Sequence, residues 1–278
     1  MPALASRDRL LAGGVVSVFI LASLSSDAGA QAHSPPDFSS NEAAWLHPPG
    51  GEFPDVAGSP SPIHQDPAHP YVGNNTGKQP TYRIGDVSNP NLKQWAKDIM
   101  KKDNAEVLAG KIAFTARSSC LPGGVPVFVL FGGQPIYFIQ TPKKVWMVYE
   151  GDHQVRHVYM DAPHSANPKP SWYGESVGKY EGDTLVIDTI GMNSKTVVDS
   201  YRTPHTEKLH VVERWRLVDG GKALEVNITV DDPDTFNKPW STVQRYQRGE
   251  QILQEEVCAE NNQHLFDYNI PEAETPDF

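Results

Sequence analysis

The segment Leu209-His210-Val211-Val212-Glu213-Arg214-Trp215-Arg216-Leu217 alternates, and its odd positions read Leu, Val, Glu, Trp, Leu. Side chains two apart on a strand share a face, so this apolar face carries one carboxylate, Glu213. A carboxylate there must be paired, hydrogen-bonded or protonated, because an isolated buried charge is very costly. Asp188, on the face of Val186 and Ile190, and Glu150, on the face of Trp146 and Val148, repeat the situation. Candidate partners are Arg156, Arg214, Arg216, His157 and His210. One chemistry for such a set is a structural ion pair. The other is acid–base catalysis in a pocket, with Glu213 or Asp188 as base, His210 as partner acid and Arg156 stabilising developing negative charge.

Histidines form a second group. His153, His157 and His164 flank one expected strand, and His205 and His210 bracket Glu207 before another. A His, carboxylate, His set drawn from neighbouring strands has the ligand types for zinc. Yet residues four apart on a strand, as His153 and His157 are, lie about 13 Å from each other. Surface and hydrogen-bonded histidines are therefore the better reading, and no metal ligand or cofactor is assigned. Gly174-Glu175-Ser176-Val177-Gly178 has the letters of a nucleophile elbow, which needs a strand before it and a helix after it. Here Lys179 to Asp188 continues as strand and hairpin, which speaks against an α/β serine hydrolase. No phosphate loop, dinucleotide fingerprint or zincin helix is present. Trp146, Tyr159 and Trp172, with Glu150 and His157, are candidate ligand contacts, although the aromatics suit an ordinary core equally well.

These residues need elements to hold them. Period-two patterning runs through 136–141, 144–150, 154–161, 174–181, 184–190, 208–218, 223–232, 241–248 and 251–258. Turn chemistry such as Glu181-Gly182-Asp183 and Asp219-Gly220-Gly221 separates the runs, and short connections imply antiparallel neighbours. The expected fold is mainly β, an antiparallel barrel of lipocalin or calycin type, with a two-sheet sandwich as the alternative. A lumen formed by about eight strands has room for one small ligand. Residues 92–108 carry Leu92, Trp95, Ala96, Ile99, Val107 and Leu108 at helical spacing, with lysines opposite, and predict one amphipathic helix. Residues 31–90 hold eleven prolines between Pro35 and Pro90 and predict an extended arm without regular ladder. The folded domain is then 91–278.

Composition sets the surroundings. The 278 residues carry 24 Lys and Arg against 34 Asp and Glu, a net charge of −10, which argues against a nucleic-acid partner. Residues 1–30 read as a secretory signal: Arg7 and Arg9, an apolar run from Leu10 to Leu24, then Ala28-Gly29-Ala30 as cleavage site. The run is short for a membrane span and no second one follows it, so a periplasmic or secreted protein is expected. Cys120 and Cys258 both fall in the exported part, and two cysteines in an oxidising compartment most simply form one disulfide. The loop so closed is worth on the order of 4 kcal/mol in the chain-entropy model.

Several motifs occur together: Cys120-Leu121-Pro122-Gly123-Gly124, Pro170-Ser171-Trp172-Tyr173-Gly174-Glu175-Ser176, Glu181-Gly182-Asp183-Thr184-Leu185-Val186-Ile187-Asp188-Thr189 and Thr203-Pro204-His205-Thr206-Glu207-Lys208-Leu209-His210-Val211-Val212-Glu213-Arg214. In this the chain resembles a large group of exported bacterial proteins with no assigned activity, and the likeness runs from about Asp66 to Asn262. It implies export and carries over no catalytic residue. The residues themselves point to an exported small-molecule enzyme of lyase, isomerase or hydrolase type. A periplasmic ligand-binding protein without catalysis is the alternative.

Overall fold

Nine strands close into one barrel in chain order among the described residues. They are β1 (Ala44–Leu46), β2 (Ile136–Gln140), β3 (Lys144–Tyr149), β4 (Gln154–Met160), β5 (Glu175–Glu181), β6 (Thr184–Ile190), β7 (His210–Val218), β8 (Ala223–Asp231) and β9 (Trp240–Gly249). The computed structural model describes residues 34–39, 44–47, 53–71, 83–111, 115–130, 135–152, 154–250, 253–255 and 257–258. The expected signal segment and its cleavage site lie outside them. Closure decides for a barrel over a sandwich, and β2 to β9 fall within two residues of the periodicity at both ends.

Two expectations are corrected. The ninth strand is not 251–258, whose described residues form no strand; it is β1, supplied by the proline-rich arm. β1 lies in the arm's longest proline-free run, 37–47, where the backbone N–H groups that a ladder needs are all present. It pairs with β2 at Trp45↔Ile136 and with β9 from Ala44↔Gly249 to Leu46↔Gln247. Nor is the sheet wholly antiparallel, since β4 and β5 run parallel, with Val158↔Ser176 and Met160↔Gly178 in register. The reason is topological. Strands that alternate in direction close a ring only in even number, so nine strands require a parallel pair. The chain must then return from the end of β4 to the start of β5, and residues 161–174 make that crossover.

Side chains fill the lumen. Phe138, Trp215 and Tyr246 stack in sequence, with centroids 5.4 Å and 5.7 Å apart. At the end where β2 finishes, the arm closes the barrel: Gln140 accepts the Phe38 N–H at 2.6 Å and donates to the Pro36 carbonyl oxygen and the Tyr180 hydroxyl. The Trp45 indole N–H donates to the Phe38 carbonyl oxygen at 2.8 Å, and Phe38 packs on Phe138. A short buried helix, α2 (Val127–Leu130), fills more of the interior, with Phe128 against Tyr149 and the Tyr246 hydroxyl donating to the Val129 carbonyl oxygen. In the order of the chain α2 follows α1 (Gln94–Leu108), the expected helix, whose buried face is Ala96, Met100, Asn104 and Val107 while Ile99 is exposed. Cys120 and Cys258 are disulfide-bonded across 138 residues, with Cα atoms 5.5 Å apart. Among the described residues no helix is long and apolar enough to cross a membrane.

Candidate active site

Strands β4 to β7 carry two polar clusters, one on each face. Inside, Arg156 and Glu213 are fully buried and meet through both carboxylate oxygens, at 2.9 Å and 2.8 Å from Nη1. The other guanidinium nitrogens are also engaged, Nε with Ser176 Oγ at 3.1 Å and Nη2 with Thr189 Oγ1 at 2.8 Å. Ser176 and Thr189 bond each other at 3.0 Å, and the Trp215 indole N–H donates to Glu213. Four adjacent strands supply this network, β4, β5 and β6 with one side chain each and β7 with Glu213 and Trp215. Glu213 thus takes the paired state that its apolar surroundings demand, with no exposed face on which to meet a substrate. Ser176 is locked in the same network, consistent with the absence of a nucleophile elbow.

Outside, Asp188 is the centre. Its Oδ1 accepts from His164 Nε2 at 2.8 Å and from His210 Nε2 at 3.0 Å. The Nδ1 of His164 lies 3.1 Å from Glu175 Oε1, which also accepts the Ser165 backbone N–H at 2.7 Å. A carboxylate oxygen only accepts, so His164 makes both bonds when it carries a proton on each nitrogen. The Ser165 N–H, and then His164, hold the Glu175 carboxyl below its ordinary range against the opposing effect of burial. Asp188 Oδ2 and His210 Nδ1 have no protein partner among the described residues, and their side chains are 39% and 40% exposed.

Local geometry explains how the cluster is held. Asp188 pairs with Val177 on β5 and Val212 on β7, so His210, two residues before Val212 on the same face, is its diagonal neighbour. His164 comes from the crossover, pinned at both ends by Asp161 N–H to the Gly178 carbonyl oxygen and Ser171 N–H to that of Gly191. Gly174 (φ +63°) ends the crossover where any Cβ would strike the Ile190 carbonyl oxygen and Met192, and so delivers Glu175 to His164. Between crossover and sheet runs an open groove of about 540 Å³. Asp161 to His164 form its wall, Val177 and Val186 its floor, and Asp188 stands at one end with Lys179 and Glu181 towards the other. It offers one open carboxylate oxygen, an imidazole bonded to a carboxylate through each nitrogen, and apolar surface beside them.

The expected site is therefore divided. Asp188 and His210 come together, Glu213 and Arg156 come together, and the barrel wall separates the pairs. The expected lumen lining is corrected as well. Val145, Met147 and Tyr149 on β3, and Arg156, Val158 and Met160 on β4, take the inward positions, which turns Trp146, His157 and Tyr159 to the outside. Trp146 packs edge-on against His157, and the Lys144 ammonium sits 4.9 Å from the Tyr159 ring centre. Glu150 is buried and accepts from the Tyr137 hydroxyl, whose pKa is pushed up to about 12 by burial and then by that carboxylate. Trp172 is half-buried, with its carbonyl oxygen close against Gly124. His153 lies outside the described residues, and His205 is buried between Thr196 and the Thr206 carbonyl oxygen, where burial lowers its pKa. Among the described residues no three His, Cys, Asp or Glu side chains form a metal-holding group. Sequence reasoning reaches His164 only as one of a histidine group; its meeting with Asp188 and Glu175 escapes it, because a crossover carries no periodicity that would aim the imidazole.

No protein-family model, no curated protein and no solved structure matches this chain.

Proposed function

We propose that the protein is an enzyme, working outside the cytoplasm, that moves a proton on a small molecule bound in the outer groove, with Asp188 as proton acceptor. One observation carries this reading: Oδ1 of Asp188 is held by two imidazole N–H groups while Oδ2 stays open at a groove with an apolar floor. Fixing one oxygen orients the carboxylate, and the open oxygen keeps its lone pairs for substrate. As Oδ2 takes a proton from substrate, negative charge grows on the substrate beside the His164 imidazole, which is held through both nitrogens. Return of the proton to a different atom completes an isomerisation; departure of a leaving group completes an elimination. His210 orients Asp188, and Glu175 holds His164 in place through its other nitrogen.

Proton movement can be read directly, whatever the product. Wild-type and Asp188→Asn protein are incubated in heavy water with a small-molecule library, and deuterium uptake is followed by mass spectrometry. Uptake with wild type and none with the variant is expected. No uptake with either, or equal uptake with both, removes Asp188 as the base, and binding without uptake leaves a ligand carrier.

A further inference from the structure

Residues 162–170 of the crossover are exposed apart from His164 and Pro168, which are half-buried, and three of them, Pro163, Pro168 and Pro170, have no backbone N–H. Among the described residues, every hydrogen bond that ties 162–170 to the barrel is made by His164 or Ser165 and ends on Glu175 or Asp188. The attachment to Glu175 is double, through the imidazole and through the Ser165 N–H. The attachment to Asp188 is the imidazole alone. A neutral imidazole has one N–H, and its other nitrogen carries a lone pair that a carboxylate oxygen repels. With Nδ1 3.1 Å from Glu175 and Nε2 2.8 Å from Asp188, both contacts hold only while both nitrogens carry a proton.

We infer that the crossover is a proton-operated strap over the groove: with both nitrogens of His164 protonated it is clasped to Glu175 and Asp188, and on loss of one proton the imidazole stays with Glu175 and releases Asp188, opening the groove at that end. The Asp188 contact yields because the Ser165 N–H backs only the other one. The ends of the crossover stay pinned, Asp161 N–H to Gly178 and Ser171 N–H to Gly191, so the segment between them swings as a unit. As regulation of the chemistry proposed above, this rests on the reading of Asp188 as base; the strap itself needs only the geometry of His164. The titratable and charged groups around the imidazole are Glu175 on β5, Asp188 on β6, His210 on β7, His157 on β4 just before the Val158↔Ser176 pair, Asp161 on the crossover, and Lys179 paired with Glu181 further along the groove. Glu175, held below its ordinary 4.5 first by the Ser165 N–H, stays ionised in mild acid, so imidazoles are the groups that change charge between about pH 5 and 8. Neutral His210 keeps its bond to Asp188, because it needs one N–H there and its Nδ1 meets no carboxylate among the described residues. The strap is closed in mild acid and open in mild alkali.

The experiment places spin labels on the full chain at Ala166→Cys in the crossover and Val243→Cys on the outer face of β9, and reads their separation by pulsed dipolar EPR at about pH 5 and about pH 8. Cys120 and Cys258 are joined, so the introduced cysteines are the thiols that react. One distance in acid and a second, longer one in alkali are expected. His164→Ala should show the longer distance at both. Asp188→Asn should stay closed in alkali, since the –NH2 of an amide donates to two imidazole lone pairs and holds the neutral His164 in place. Circular dichroism checks that each variant is folded, and Asp188→Asn keeps the test decisive if His164→Ala does not fold. A wild-type distance that is the same at both pH values, a pH response that survives His164→Ala, or an Asp188→Asn strap that opens in alkali overturns the proposal. Turnover plays no part in these distances. Deuterium uptake with an unmoving strap removes the strap and leaves Asp188 as base, whereas a moving strap without uptake removes the base and leaves the strap.

Discussion

The inner and outer faces of β4 to β7 each hold a cluster built on a carboxylate, Glu213 within and Asp188 outside, and treat it in opposite ways. Within the barrel, Arg156 and Glu213 have no contact with water, and Ser176, Thr189 and Trp215 complete their bonding. On the outer wall, Asp188 is held on one oxygen only, by side chains that are themselves partly solvated. The difference follows from desolvation. A charge removed from water is tolerable only when every bond it had with water is replaced, so nothing is left over for a substrate. At the surface water supplies the missing bonds, and a lone pair can stay open until a ligand arrives. Two faces of the same strands thereby divide stability from chemistry.

Substitutions on the two faces put this division to the test. The largest effect is expected for Glu213→Gln, which leaves the Arg156 charge buried without its counterion and should cost about 3–5 kcal/mol in urea unfolding. A cost below about 1 kcal/mol would place the inner pair in contact with solvent and erase the contrast. Replacing both partners, Arg156→Met with Glu213→Leu, should recover much of that loss, since no charge is stranded and Ser176 and Thr189 still bond each other, while the Trp215 indole N–H, left without its acceptor, keeps the variant about 1–3 kcal/mol below wild type. His164→Gln is expected to cost only about 0.5–1 kcal/mol, because its ion pairs are partly solvated. It should speed proteolytic cleavage within 161–174, as the crossover loses its attachment to Glu175 and Asp188. The smallest effect concerns pH. Glu175 is more acidic in the folded chain than its ordinary 4.5, so its contribution is complete above that value and is lost as pH falls through the folded pKa. Glu175→Gln should lower stability in the neutral region by roughly a few tenths of a kcal/mol and leave the most acidic region unchanged, so that the acid limb of the stability–pH profile flattens.

Alternation alone was enough to bury Glu213, and it also contained a constraint that separates it from His210. Positions three apart on a strand face opposite ways, so grouping those two as base and acid conflicts with the periodicity that singled out Glu213. Arg156 was legible in the same manner, since Val158 and Met160 define the inward parity of β4, whereas Arg214 and Arg216 share the outward parity of His210. The parallel seam left only one trace, the long connection between 154–161 and 174–181, and length alone does not identify it, because the longer connection 191–209 joins antiparallel strands. The ninth strand was hidden by its length: three residues, Ala44–Leu46, are too few to show a period. The meeting of Glu175 and His164 was beyond reach because it depends on the path of a crossover, which only the assembled barrel determines.

The seam between β1 and β9 also has a bearing on the order in which the chain is made. It joins residues 44–46 to 247–249, a separation of about 200 positions, among the slowest kinds of contact to form. A chain that emerges from its amino end must hold β1, with Trp45 and the Phe38 stopper, in waiting until almost every other strand has appeared. The ring therefore cannot be completed until β9 has emerged, and any fragment ending before β9 keeps an open edge on the sheet, ready to pair with a neighbouring molecule.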